Sequence, residues 1–196
     1  MTELRYQTLL GEQIRSRLEP LAALRLRVFR DWPYLYEGTP DYERRYLETY
    51  CRSSAGLAVL VWDGEHCVGA TTALPLREAH AEMREPFEAA GIATADILYF
   101  GESVVLEDYR GRGIGVRFFE EREDHARRLG LACCVFCAVD RPTQHPLRPA
   151  GYLPNDAFWG RRGYQRQPQL VCHFDWQDHD QAAPTSHALS YWLKNL

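Results

Sequence analysis

The chain has 196 residues, 45% hydrophobic and 26% charged, which is enough for one domain with a core of useful size. Its formal net charge of -4 argues against non-specific nucleic-acid binding, so any positive site must be local. No stretch approaches the roughly 18 apolar residues of a membrane span. The opening MTELRYQTLLGEQIRSRLEP lacks the apolar core of a signal peptide, so a cytoplasmic protein with no membrane partner is expected.

In chain order, 4–10 reads as a first strand and 17–30 as a helix with a broad apolar face, Pro20 lying near its start. DWPYLYEGTP breaks the pattern. A second helix covers 41–52, with Tyr42, Tyr46 and Tyr50 four apart on one face, a row read as helix packing. Two β-rich runs, 57–62 and 67–74, flank Asp63-Gly64 and predict a hairpin. Residues 77–90 are helical in pattern but interrupted by Pro86, and 97–106 is a strand leading into DYRGRGIG. The helix at 116–129 has acids in its first half, Arg127 and Arg128 in its last turn, and Gly130 after it. A strand follows at 131–139, then a Pro- and Gly-rich loop, a short helix in NDAFWGRRGY, and strands at 169–176 and 188–196. The polar 177–187 between those strands is expected to be mobile.

This order predicts one α/β domain over 1–196: a mixed sheet of about seven strands flanked by helices, with a right-handed parallel crossover at its centre. The last strand is expected inside the sheet rather than across a subunit interface, and a monomer or homodimer fits. Cys134 and Cys137 form a CxxC, but they sit in the apolar run LACCVFCAV with no companion motif. They read as small buried hydrophobes, and no metal is expected.

DYRGRGIG, 108–115, places two arginines and three glycines between a strand and a helix. The first N–H groups of a helix have no partners inside it, and the helix dipole is positive there, so the loop is an anion site. Three phosphate carriers compete. A nucleoside triphosphate calls for GxxxxGK[ST], and no lysine follows these glycines. A dinucleotide calls for GxGxxG in the first strand–helix unit. Gly111 and Gly113 fit it, but the third position is Val116 and more than half the chain comes first. The third carrier is coenzyme A, through its pyrophosphate.

Arg110-x-x-Gly113-x-Gly115 resembles the [QR]xxGx[GA] signature of the GNAT superfamily of acyl-CoA-dependent N-acyltransferases. ESVVLEDYRG resembles the family's fourth strand, and NDAFWGRRGY its "FYxxxGF" segment; the element order matches along nearly all of the chain. The resemblance implies a GNAT-like fold with a parallel strand pair that splays apart at the coenzyme site. It implies acetyl-CoA as acyl donor, an amine as acceptor and no metal. The backbone of Gly111, Arg112, Gly113, Ile114, Gly115 and Val116, helped by Arg110, would hold the pyrophosphate. Ser103, Val104 and Val105 would bond the pantetheine arm as an added strand. The thioester would lie where the strands at 97–106 and 131–139 part.

Attack of a neutral amine on a thioester needs a base, donors for the oxyanion and a proton for the thiolate. Glu102, in the apolar setting YFGESVV, is the candidate base, since burial there would raise its pKa. The Val105 N–H is the oxyanion donor that the resemblance implies. The family's usual acid, a tyrosine, aligns with Trp159, whose indole N–H cannot act as one. Tyr152 and Tyr164 are the candidate substitutes, unless the thiolate leaves without an acid; Trp159 would then pack against the coenzyme.

The acceptor pocket is implied to use DWPYLYEGTPDYE, where Trp32, Tyr34 and Tyr36 stand among Asp31, Glu37, Asp41 and Glu43. That surface suits a cationic amine. His145 and Arg148 would instead read an anion, and 77–90 is long enough to cover the pocket. The expected activity is acetyl transfer to a small-molecule primary amine by direct attack. The alternatives are a protein or peptide N-acetyltransferase, favoured by a long open groove beside 31–43, and a non-catalytic acyl-CoA sensor.

Overall fold

The computed structural model describes residues 3–196. Strand β1 (Arg5–Leu10) leads through a 3₁₀ turn (Gly11–Arg17) into α1 (Leu18–Phe29) and then α2 (Pro40–Arg52). The hairpin β2 (Leu57–Asp63) and β3 (His66–Pro75) follows, then α3 (Ala81–Ala89), β4 (Ile97–Val105), α4 (Ile114–Arg128), β5 (Cys133–Val139), α5 (Asp156–Gly160), β6 (Gln165–Trp176) and β7 (Thr185–Asn195). The seven strands form one mixed sheet in the order β1-β2-β3-β4-β5-β7-β6, in which β4 and β5 are parallel. The final strand lies inside the sheet, between β5 and β6.

Local signals set most element ends. Thr39 caps α2, its Oγ1 accepting the Tyr42 N–H at 3.3 Å, and Pro40 fills the first helical position, where no N–H is needed. The helix expected at 77–90 starts later, because the chain is extended at Ala79 (ψ 168°). Strand β6 starts earlier than its apolar run. Gln165–Gln167 already pair with β7, and the register then jumps from Gln167 to Val171 around Pro168, which has no N–H to donate. The polar 177–187 is anchored rather than free: Asp178 is buried and takes two bonds from Arg141, at 2.6 and 2.8 Å.

The sheet separates two apolar layers. Helices α1, α2 and α3 cover one face, against Leu60, Ala70, Tyr99 and Val135; α4 and α5 cover the other, against Val59, Leu98, Phe100 and Phe136. Cys134 and Cys137 fall on opposite faces, as strand residues three apart must, so they do not form a pair.

Two irregularities on β4 prepare the site. Its pairing with β5 runs only through Ile97, Leu98 and Tyr99, after which the two strands part. On its other edge, Thr71 faces Ser103 and Ala73 faces Phe100, so Gly101 and Glu102 together oppose Thr72. This β-bulge sends two consecutive residues to the same face. Gly101 occupies the first position of necessity, because a Cβ there would collide with Tyr50 Oη and Thr72 Oγ1. Gly101→Ala is therefore expected to lower the unfolding free energy by about 1–3 kcal/mol through overpacking, measurable by urea denaturation.

Candidate active site

At the C-terminal end of β4 the chain makes a short 3₁₀ turn and enters the glycine loop. Gly111 (φ 75°) and Gly113 (φ 81°) are both left-handed, and nothing lies within 4 Å of where their Cβ atoms would be. The first helical bond of α4 runs from the Arg117 N–H to the Gly113 carbonyl, at 3.1 Å. The N–H groups of Ile114, Gly115 and Val116 therefore precede the hydrogen-bonded helix, and the first turn contains no acid. Arg110 and Arg112 flank this bare backbone. Arg112 stacks over Tyr109 at 4.7 Å and donates to the Asp108 carbonyl at 2.7 Å; Arg110 donates to the Val105 carbonyl at 3.2 Å. Exposed N–H groups, a helix dipole and two guanidinium groups fit a pyrophosphate.

Along the open edge of β4, backbone direction alternates. The Leu106 N–H bonds the Val68 carbonyl across to β3, at 2.9 Å, so the N–H and C=O of Ser103 and Val105 point the other way, into the gap that β5 has left. Val104 points back into the sheet, so of the three residues expected to bond the pantetheine arm, it does not offer its main chain to the gap. The Val105 N–H faces the gap, while its carbonyl accepts from Arg110.

On the α1–α2 face, a chamber of about 100 Å³ opens where β4 and β5 part, lined by Gly101, Glu102, Tyr99, Cys137, Tyr34 and Tyr36 among others. Tyr42, Tyr46, Phe174 and Asp175 form a neck shared with an outer chamber of about 420 Å³, which also meets His80, Glu82 and Arg45. His80, Glu82 and Met83 thus bring the 77–90 stretch to the walls of these chambers.

Glu102 is buried but does not sit in the apolar setting that the sequence predicts. Its Oε2 accepts from the Arg25 guanidinium, and its Oε1 accepts from Thr72 Oγ1 at 2.7 Å. Arg25 also donates to Glu43 and lies over the rings of Tyr46 (4.5 Å) and Phe29 (4.9 Å). Desolvation alone would lower the Arg25 pKa, but the two carboxylates outweigh it and hold the guanidinium above its ordinary range. All three side chains are buried, and among the described residues Glu43 Oε1 has no partner at full hydrogen-bond geometry.

Several expectations are corrected. Tyr164 lies in the α4-side core, packed on Phe119 (5.0 Å) and Phe136 (5.1 Å), and its hydroxyl donates to Glu123 Oε1 at 3.2 Å. Burial and the nearby Cys134 and Glu123 push its pKa up, so it is a core hydroxyl rather than an acid facing the gap. Trp32 does not line either chamber; its ring packs against His145 (5.1 Å) and Tyr152 (5.9 Å). His145 and Arg148 are engaged in that same cluster, Arg148 over Tyr152 at 5.4 Å. Tyr152 is half-buried there, and burial raises its pKa against the opposing charge of Arg148. Trp159 is partly buried and meets Phe136 and Trp192 edge-on, at 5.1 and 5.0 Å.

Sequence reasoning missed Arg25, although it interrupts the apolar row Leu21–Arg25–Phe29 at helical spacing. The tyrosine row does pack along the helix, Tyr42 on Tyr46 and Tyr46 on Tyr50, but Tyr42 and Tyr46 also line the neck, while Tyr50 is fully buried. Among the described residues, no cluster of His, Cys, Asp or Glu is arranged to hold a metal ion, and no helix is long and apolar enough to cross a membrane.

A split parallel pair, a bulge and a glycine loop on one strand belong to the fold that this chain shares with acetyltransferases of known structure. The chain belongs to the Acetyltransferase (GNAT) family, whose model matches residues 23–150. Its fold is similar to that of a ribosomal-protein-alanine N-acetyltransferase from Brucella melitensis (TM-score 0.62, 16% identity, 99% of each chain covered). A GNAT-family acetyltransferase from Staphylococcus aureus is similar at TM-score 0.62 and 12% identity, again over 99% of each chain. A Drosophila melanogaster polyamine N-acetyltransferase is similar at TM-score 0.61 and 14% identity, over 99% of this chain and 100% of that one. No curated protein matches the chain.

Replacing Arg25 by Met leaves two buried carboxylates without their cation and is expected to cost about 3–5 kcal/mol in urea unfolding. Adding Glu43→Gln to that variant removes one of the stranded charges and should recover part of the loss.

Proposed function

We propose that the chain transfers an acetyl group from acetyl-CoA to the primary amine of a small molecule by direct attack. The observation that carries this reading is the small tyrosine-lined chamber, which ends at Gly101 and Glu102 where β4 and β5 part. One strand thus leads from the acceptor chamber to the phosphate loop. The narrow inner chamber suits an amino group on a slim stem better than the long groove that a folded protein acceptor needs.

In this reading, the N–H groups at 111–116 with Arg110 and Arg112 hold the pyrophosphate, and Ser103 and Val105 fix the pantetheine arm along the open edge of β4. Glu102 takes the amine proton, directly or through a water in the inner chamber, and Arg25 and Thr72 hold its carboxylate in place. Tyr34 and Tyr36 bind the acceptor, joined by Tyr42, Tyr46 and Asp175 at the neck, a set of rings and carboxylate suited to an ammonium.

Calorimetric titration should give micromolar binding of both acetyl-CoA and free CoA. Arg112→Glu reverses a charge on the exposed loop, so it should weaken that binding about tenfold or more without unfolding the protein. No binding at millimolar coenzyme would remove the phosphate assignment. Amine-dependent thiol release should fall about a hundredfold or more in Glu102→Gln, with coenzyme affinity kept. Coenzyme binding without any amine-dependent thiol release would point instead to a sensor.

A further inference from the structure

Arg122 stands in the third turn of α4, on the face of the sheet opposite the acceptor chamber, and it is 1% exposed. Its guanidinium lies between the rings of Phe100 (4.0 Å) and Phe119 (4.9 Å), and its Nε donates to the Phe118 carbonyl at 3.0 Å. Among the described residues it makes no ion pair. The neighbouring Glu123 is already held by Lys194 (2.7 Å), Arg127 (3.6 Å) and the Tyr164 hydroxyl. Glu102, across the sheet, is tied to Arg25. Burial pushes the Arg122 pKa down to about 10, with Tyr164, Cys134, Glu102 and Glu123 acting the other way. The side chain thus remains a cation at neutral pH.

A buried charge without a counter-ion is costly and calls for an explanation. Its place supplies one. Phe100 is the first β4 residue beyond the last pair with β5, Tyr99 with Val135, and Cys134, whose thiol feels the Arg122 charge, belongs to that last paired stretch. Arg122 therefore lies under the apex of the gap, on the α4 side. The opposite face carries the Arg25–Glu43–Glu102 triad. The apex thus has a paired guanidinium on the acceptor side and one without an ion pair on the α4 side.

We infer that Arg122 stabilises the coenzyme sulfur as a departing thiolate, in place of a tyrosine acid. This rests on the acetyl-transfer reading above. As the amide C–N bond forms, the C–S bond breaks and the sulfur leaves with the bonding pair. The amine nitrogen gives its proton to the carboxylate side, and the thiolate takes up a proton from water after it leaves. Neither Trp159, which lacks an acidic hydrogen, nor Tyr164, committed to Glu123, is then needed as a donor.

The test titrates the thiol of free CoA bound to the protein, following thiolate absorbance against pH. The desulfo-CoA complex serves as blank, to cancel the protein's own six cysteines. In the wild type the bound thiol should ionise with a midpoint about one pH unit or more below that of unbound CoA. Arg122→Met should return the midpoint to the unbound value while CoA still binds by calorimetry, and Arg122→Lys should keep most of the depression. A bound thiol that titrates like unbound CoA in the wild type would overturn the inference even if Arg122→Met failed to fold. So would an equal depression in wild type and a folded Arg122→Met. Absence of CoA binding altogether would overturn the acetyl-transfer reading itself and this inference with it.

Discussion

Everything at this site depends on a backbone constraint: β4 and β5 stay hydrogen-bonded for only three residue pairs. A parallel pair in the middle of a sheet normally satisfies both edges of each strand. Here β5 turns away to continue with β7, and β4 stays with β3, so main-chain groups of β4 face an opening instead of a neighbour. Unmet N–H and C=O groups are tolerated inside a protein only where a ligand or water can reach them. The gap thus gives β4 an extended binding edge, and the loop beyond it continues that edge into a helix N-terminus.

The bulge at Gly101 and Glu102 turns this edge into a chemical site. Without the extra residue, strand alternation would send Glu102 to the α4 side. With it, the carboxylate joins Gly101 on the α1–α2 face and meets Arg25 and Glu43. A buried triad of this kind is held by exact pairing more than by net stabilisation, because desolvation offsets most of the attraction. Its value lies in orientation: Arg25 and Thr72 leave the Glu102 carboxylate little freedom at the wall of the chamber. Arg141 plays a related part for the loop at 33–36. It donates to the carbonyls of Pro33 and Tyr34 while paired with the buried Asp178, and so pins Tyr34 and Tyr36 against the chamber.

Much of the framework was legible from local signals. The DG turn between two β-rich runs, the charge-sorted helix after the glycines and the apolar run of β5 each state their conformation within a few residues. The glycine loop was legible because its geometry is backbone geometry: Gly111 and Gly113 adopt the left-handed angles that glycine permits. The errors fell where side chains meet over long separations. Nothing near Glu102 in the chain signals that Arg25, 77 residues earlier, will reach it. YFGESVV reads as apolar because its partner lies on another helix. Tyr42, Tyr46 and Tyr50 share one helix face, and only the packing of α1, α3 and β6 around them separates the two that line a cavity from the one in the core.

The order of elements, the parallel crossover and the glycine loop could all be read from the sequence, because each is encoded by periodicity, turn residues and glycine over a short stretch. Only the tertiary structure decided which carboxylate faces which guanidinium, which tyrosines line the chamber, and that Arg122 and Arg25 stand on opposite sides of one gap. The physical reason is that a strand's two faces are assigned by register. A single extra residue in β4 reassigns them, and that register is set by pairing with β3, not by the residues of β4 alone.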